Sequence, residues 1–125
     1  MSSFTAPLDV RYNPQNNTWT VLRDFEFHVG SYPSDKVIKV PYGTVTDFAS
    51  VPRWAEWLIP RSGEYNQATV VHDKMCRDFH LRLCQPFYET HLQRCNIFLE
   101  ALTVLKVPTW KKTLMYISVL VAGPR

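Results

Sequence analysis

The hydrophobic pattern of this chain changes period once. Up to about residue 41 apolar and polar positions alternate; beyond residue 50 apolar positions recur every three to four residues. Leu8-Asp9-Val10-Arg11-Tyr12 and Thr18-Trp19-Thr20-Val21-Leu22 flank Asn13-Pro14-Gln15-Asn16-Asn17. Proline presets φ and asparagine tolerates the left-handed region, so this stretch reads as a hairpin. Phe25, Phe27 and Val29 alternate with Glu26 and His28, as in a half-buried strand. Gly30 to Asp35 reads as a loop, and Val37-Ile38-Lys39-Val40 as a fourth strand ended by Pro41 and Gly43.

The rest predicts helices. Ser50 is placed to N-cap a short helix with Pro52 in its first turn, where a missing N–H costs little. That helix carries Trp54, Trp57 and Leu58, and Pro60 stops it. A second helix is expected from about Glu64 to Leu83, with Ala68, Val71, His72, Met75 and Phe79 on one face. A third is expected to begin at Pro86 and carry the stripe His91, Cys95, Phe98, Leu102 and Leu105. Trp110, Leu114, Ile117 and Val121 form the expected core stripe of a last helix, stopped by Gly123-Pro124. Strands first and helices after is an α+β arrangement: a small, mostly antiparallel sheet with three to four helices packed on it. At 125 residues the expectation is one domain, with strands over about 5–41 and helices over 50–123.

A hydrophobic content of 46% and a charged content of 20% support a packed core rather than disorder. The net charge of +3 permits an anionic partner without demanding one, and no Lys/Arg run is dense enough to predict nucleic-acid binding. Met-Ser-Ser-Phe-Thr-Ala-Pro lacks the regions of a signal peptide. The apolar stretch from Leu114 to Gly123 is far short of the roughly 20 residues of a membrane span. The expectation is a soluble chain made in a cytoplasm, with Cys76, Cys84 and Cys95 as free thiols.

Candidate chemistry lies in two short segments: Thr46-Asp47-Phe48-Ala49-Ser50-Val51-Pro52-Arg53 and Val70-Val71-His72-Asp73. His72 is on the predicted apolar face, and Asp73, about 100° further round, lies at its edge. A partly buried histidine is a natural base or metal ligand, and a neighbouring carboxylate tunes or joins it. The competing reading is a core histidine satisfied by hydrogen bonding. Asp47 and Ser50 have the same double reading, since both residue types make turns and caps routinely. A triad of Ser50, His72 and Asp47 lacks a Gly-x-Ser-x-Gly elbow and is set aside.

His72, Cys76, His80 and Cys84 follow one another at four-residue spacing, and His91 and Cys95 repeat it. Adjacent members could share a metal ion, but the whole set drifts round the helix and lacks Cys-x-x-Cys knuckles. No cysteine carries a thiol-protease signature. Trp54, Trp57, Arg53 and Arg61 read better as an anchor for the short helix than as a glycan or single-strand binding patch.

The same segments carry a resemblance. Val40-Pro41-Tyr42-Gly43 leads into Thr46 to Arg53; Tyr65-Asn66-Gln67-Ala68 approaches His72-Asp73; Asn96-Ile97-Phe98-Leu99-Glu100-Ala101-Leu102 and Met115-Tyr116 with Gly123 follow. Over roughly residues 37 to 123 the chain resembles a family of small phage and prophage proteins known as domain of unknown function 1353. The resemblance implies a phage or prophage origin and a site at Asp47, His72 and Asp73, without supplying a reaction. The family usually has Asp where this chain has Asn96, which can ligate or hydrogen-bond but cannot act as a base. A His-Asp pair is also found in an all-helical class of metal-dependent phosphohydrolases, but the strands and Asn96 argue against that assignment.

The leading expectation is a small phage-encoded accessory protein with a polar pocket between the Asp47 loop and the His72 helix. Asp47, His72 and Asp73 are its candidate catalytic residues and metal ligands, with one divalent ion, zinc or manganese, as candidate cofactor. Thr46, Ser50, Arg53 and Asn96 would stand behind them. Metal-assisted hydrolysis is the most economical reaction class, because no convincing nucleophile is present; cell-wall peptide is a phage-relevant substrate, but no residue points to it. The alternative is a non-catalytic virion component of the tail or baseplate, partnered by other phage proteins, in which the cluster is a structural network. A host-directed inhibitor acting by binding is a third class. The expected location is the host bacterial cytoplasm on synthesis, and the virion if the alternative holds.

Overall fold

The computed structural model describes residues 2–46 and 65–122. The expectations for Asp47, Ser50, Arg53, Arg61, the short Trp54–Leu58 helix and the Gly123-Pro124 stop lie outside the described residues. Six strands are described: β1 (Ser3–Phe4), β2 (Val10–Asn13), β3 (Thr18–Val21), β4 (Phe25–His28), β5 (Val37–Val40) and β6 (Val45–Thr46). They form two three-stranded sheets, ordered β1-β4-β5 and β2-β3-β6, and every pairing is antiparallel. The four expected strands are present, but divided between two sheets.

The β2–β3 hairpin closes at Asn17, whose φ of 54° is the left-handed value that asparagine tolerates. Tyr12 pairs with Trp19 across it, their rings 4.9 Å apart. The chain passes from β5 in one sheet to β6 in the other through Gly43, whose φ of +90° suits a residue without Cβ. Val21 closes this crossing by donating its N–H to Thr44 O at 2.8 Å and accepting from Gly43 N at 2.8 Å. β1 and β6, two residues each, are too short to show a period and were not expected from the pattern.

Three helices follow: α1 (Asn66–His80), α2 (His91–Val104) and α3 (Thr109–Ala122). α1 ends three residues before the expected Leu83. Arg82 takes a left-handed φ of 61°, its N–H reaches Phe79 O at 3.1 Å, and Leu83 N–H reaches Asp78 O at 2.7 Å. This is the Schellman arrangement, which satisfies the last carbonyls. Lys106, also at 61°, ends α2 in the same way, with Val107 N–H on Leu102 O at 3.1 Å.

The helix expected to begin at Pro86 begins instead at His91; Pro86–Tyr88 is only a 3-10 turn. Thr90 decides the start. Its Oγ1 accepts from Gln93 N at 3.1 Å while Gln93 Oε1 accepts from Thr90 N at 2.8 Å, a reciprocal capping box.

The core is formed by Phe25, Phe27, Ile38 and Val40 of one sheet with Val71 and Met75 of α1 and Phe98 and Leu102 of α2. α1 packs on β5 and α2, and α3 packs on α2. The expected core stripe of α3 is corrected by the structure. Met115, Ser118 and Val119 are the buried residues, while Trp110, Ile117 and Val121 are exposed and Leu114 is half-buried. Ser118 breaks the apolar pattern of the inward stripe, and it is tolerated there because its Oγ donates to Leu114 O at 2.8 Å. Among the described residues no helix is long and apolar enough to cross a membrane.

Candidate functional site: the β6–α1 clamp

α1 meets Thr46, the first residue of the other chemistry-bearing segment, from one side. Asp73 and Arg77 are four residues apart and so share a helical face. Asp73 Oδ2 accepts from Thr46 Oγ1 at 2.6 Å, and Arg77 Nη2 donates to Val45 O at 2.5 Å. β6 is thus held on one edge by pairing with β3, where Trp19 faces Thr46, and on the other by α1. The clamp acts on the two residues that immediately precede Asp47. Thr46 is buried and Asp73 half-buried, so their hydrogen bond to a charged acceptor is of the stronger kind.

His72 points elsewhere. It is 1% exposed, its ring lies 5.1 Å from that of Phe98 on α2, and Cys76 Sγ is 3.8 Å from Nε2. The expected face of α1 is therefore real, with Ala68, Val71, His72 and Met75 buried and Phe79 half-buried. The adjacent dipeptide splits in space: His72 goes into the helix–helix interface and Asp73 goes to β6.

Asn96 is not brought to this cluster by any described contact. It is exposed on α2, about 200° round the helix from buried Phe98. Its Oδ1 accepts from Tyr116 OH at 2.8 Å. It borders a separate groove of about 290 Å³ with Val29, Lys36, Phe87, Gln93 and Ile97. Among the described contacts Asn96, expected to stand behind Asp47, His72 and Asp73, meets Tyr116 and neither His72 nor Asp73. Another groove, of about 380 Å³, runs between β4, β5 and Lys74 of α1, with Asp24, Glu26 and Lys39 on its walls.

The four-residue histidine–cysteine spacing is realised twice, with Cys76 beside His72 and Cys95 Sγ 3.5 Å from His91 Nε2. His91 also donates from Nε2 to Leu120 O at 3.2 Å, the carbonyl being able only to accept. Burial, and secondly the nearby Cys76, pushes the Cys95 thiol up to about 11. Burial thus favours its protonated form, the weaker nucleophile. Cys76, Cys84 and Cys95 are unbridged. Among the described residues no three His, Cys, Asp or Glu side chains converge as a metal site would require; Asp47, the third tentative ligand, lies outside them.

Two groups that the sequence did not single out complete the region. Arg77 was findable as the partner at four-residue spacing from Asp73. Arg94 is 1% exposed, stacks its guanidinium 4.2 Å from the centre of the Phe79 ring, and donates to Tyr88 O and Glu89 O at 3.0 and 2.9 Å. Tyr88 OH donates in turn to Asp78 Oδ2 at 2.9 Å. Burial first, then that hydrogen bond, pushes the Tyr88 hydroxyl up to about 12. These contacts lock the turn before α2 onto the end of α1.

A family model described as a protein of unknown function (DUF1353) matches residues 19–119, most of the chain. No curated protein and no solved structure matches.

Proposed function

The chain belongs to the DUF1353 family, and from that premise we propose that it is a phage- or prophage-encoded accessory protein that works by assembly rather than catalysis, as a non-catalytic component of the virion tail or baseplate. The observation that carries this reading is the division of His72 from Asp73. The histidine is enclosed against Phe98, and the carboxylate is engaged by Thr46. In this reading the Asp73–Thr46 hydrogen bond fixes the end of β6 against α1 and His72 helps to seat α1 on α2, and the residues that follow Thr46 in sequence make the contact to other tail or virion proteins. Satisfied polar groups of this kind fix geometry.

The second reading, metal-assisted hydrolysis with one zinc or manganese ion, is favoured by a different observation. Asp73 is half-buried rather than enclosed, and it is bonded to the residue next to Asp47. A half-buried carboxylate suits a divalent ion, and in this reading Asp47 supplies a second one. Elemental analysis of wild type beside His72→Ala, with thermal melts of both, separates the readings. The assembly reading expects no stoichiometric metal and a lower melting temperature for His72→Ala. A stoichiometric metal that His72→Ala removes without loss of stability overturns it in favour of the hydrolase.

A further inference from the structure

The outward face of α3 carries the exposed apolar residues Trp110, Ile117 and Val121, with Leu114, half-buried and also packed on the core, between them, and Lys111 Nζ lies 5.7 Å from the centre of the Trp110 ring. Trp110, Leu114, Ile117 and Val121 lie at successive spacings of four, three and four. That is the d-a-d-a pattern of a coiled-coil seam. Trp110 is 60% exposed, Ile117 46% and Val121 78%, so the seam is open to solvent. Leu120 extends it, and the His91–Leu120 hydrogen bond sets the first turn of α2, with exposed Leu92, beside its C-terminal end.

We propose that α3 is a self-association surface, on which a second copy of the chain docks its own α3 antiparallel about a two-fold axis. Three features of the surface select this occupant. The first is self-complementarity. Inverting the seam sets Leu114 of one copy against Ile117 of the other and Trp110 against Val121, so a bulky side chain meets a small one at each end. An isologous pair requires the same patch on both copies to match itself in this way.

The second is charge. α3 has Lys111 and Lys112 in its first turn and no acidic residue. A parallel pair would bring the two copies of Lys111 near each other, whereas Lys112 turns away and donates to Thr103 Oγ1 of α2 at 3.3 Å. The antiparallel pair sets Lys111 beside the last turn of the other helix, where unsatisfied carbonyls favour a cation. The third is area. The exposed apolar side chains amount to on the order of 500 Å², close to the apolar share of the roughly 800 Å² that each partner buries in a standard interface. A patch of that size is at the upper end for a monomer.

The test is sedimentation velocity of the full chain over a concentration series, for wild type, Ile117→Lys and Val121→Lys. The expected result is a concentration-dependent dimer for wild type and a monomer for both variants, each with wild-type circular dichroism. Orientation is read by disulfide trapping in a Cys84→Ser background. Chains with Trp110→Cys mixed with chains with Val121→Cys should cross-link to each other. A wild type that is monomeric throughout overturns the proposal, as does a dimer that both lysine variants leave intact. Efficient cross-linking of Trp110→Cys chains to themselves means a parallel pair and overturns it too.

Discussion

α1 and α3 are 15 and 14 residues long and each carries an apolar stripe of helical period, yet one stripe is buried and the other faces solvent. The difference is in the neighbours. α1 lies between β5 and α2 and is tied to β6 by Asp73 and Arg77, so its stripe has a surface on either side to meet. Among the described elements α3 packs chiefly on α2, and the buried face it turns inward is that of Met115, Ser118 and Val119. A stripe marks a face that prefers not to meet water. Whether the domain itself supplies the cover depends on tertiary packing, and α3 shows that a continuous apolar stripe can be the one left out.

If the α1–α2 interface holds the domain together and the outer face of α3 does not, substitutions must separate them by size. The largest effect is expected at Phe98, which is fully buried against His72. Phe98→Ala removes an aromatic ring from a site walled by two helices, and should cost about 3–5 kcal/mol by chemical denaturation. A loss under 1 kcal/mol would mean that α1 and α2 do not share the core described.

Alkaline pH attacks the same interface through its two shifted groups. Burial raises the Cys95 thiol from an ordinary 9.0 to about 11 and the Tyr88 hydroxyl from 10.0 to about 12. Each binds its proton more tightly folded than unfolded, so stability falls as pH rises through this range. It should be full below about pH 9 and decline progressively through pH 11 to 12. Melting temperatures from pH 8 upward measure this. Cys95→Ala should delay the onset of the decline, whereas substitutions on the outer face of α3 should leave its onset where it is.

The β6–α1 clamp ranks next. Thr46→Val keeps the shape of the side chain and deletes the donor to Asp73. Hydrogen bonds to a charged partner are worth about 1.5–3 kcal/mol, and a loss of that order is expected in urea denaturation. Asp73→Asn should cost less than Thr46→Val, since the amide oxygen still accepts. The reverse order would show that the carboxylate charge, rather than the hydrogen bond, holds β6.

How much of this was legible in the sequence follows the same division. The strand positions were, because Phe25/Phe27 and Ile38/Val40 alternate cleanly. Their division into two sheets was not, since it depends on the crossing at Gly43 and on two-residue strands without a period. The buried face of α1 was legible, its end was not: Arg82 and Lys106 take the left-handed position usually marked by glycine. The start of α2 was written as Thr90-x-x-Gln93, a capping signal that Pro86 overshadowed. In the candidate site, the proximity of Thr46 to Asp73 was foreshadowed by two motifs flanking apolar runs. The opposite fates of His72 and Asp73 were not, because a dipeptide on a helix does not say which of its neighbours arrives on which side.

The smallest intrinsic effect is expected on α3, and it is the most informative. Ile117→Lys places a charge where the side chain is already 46% exposed. In a dilute sample, where only monomer is present, its unfolding free energy should stay within about 0.5 kcal/mol of wild type, as for surface substitutions elsewhere. Phe98→Ala fails that standard by a wide margin, and the contrast measures how differently the two stripes are used. Raising the protein concentration then sharpens it. Association stabilises the folded state by mass action, so the wild-type melting temperature should climb with concentration. That of Ile117→Lys should stay flat. A wild-type curve as flat as the variant's would leave α3 as an apolar face with no second copy on it. A variant already destabilised when dilute would mean that Ile117 belongs to the core, and the division between α1 and α3 would fall.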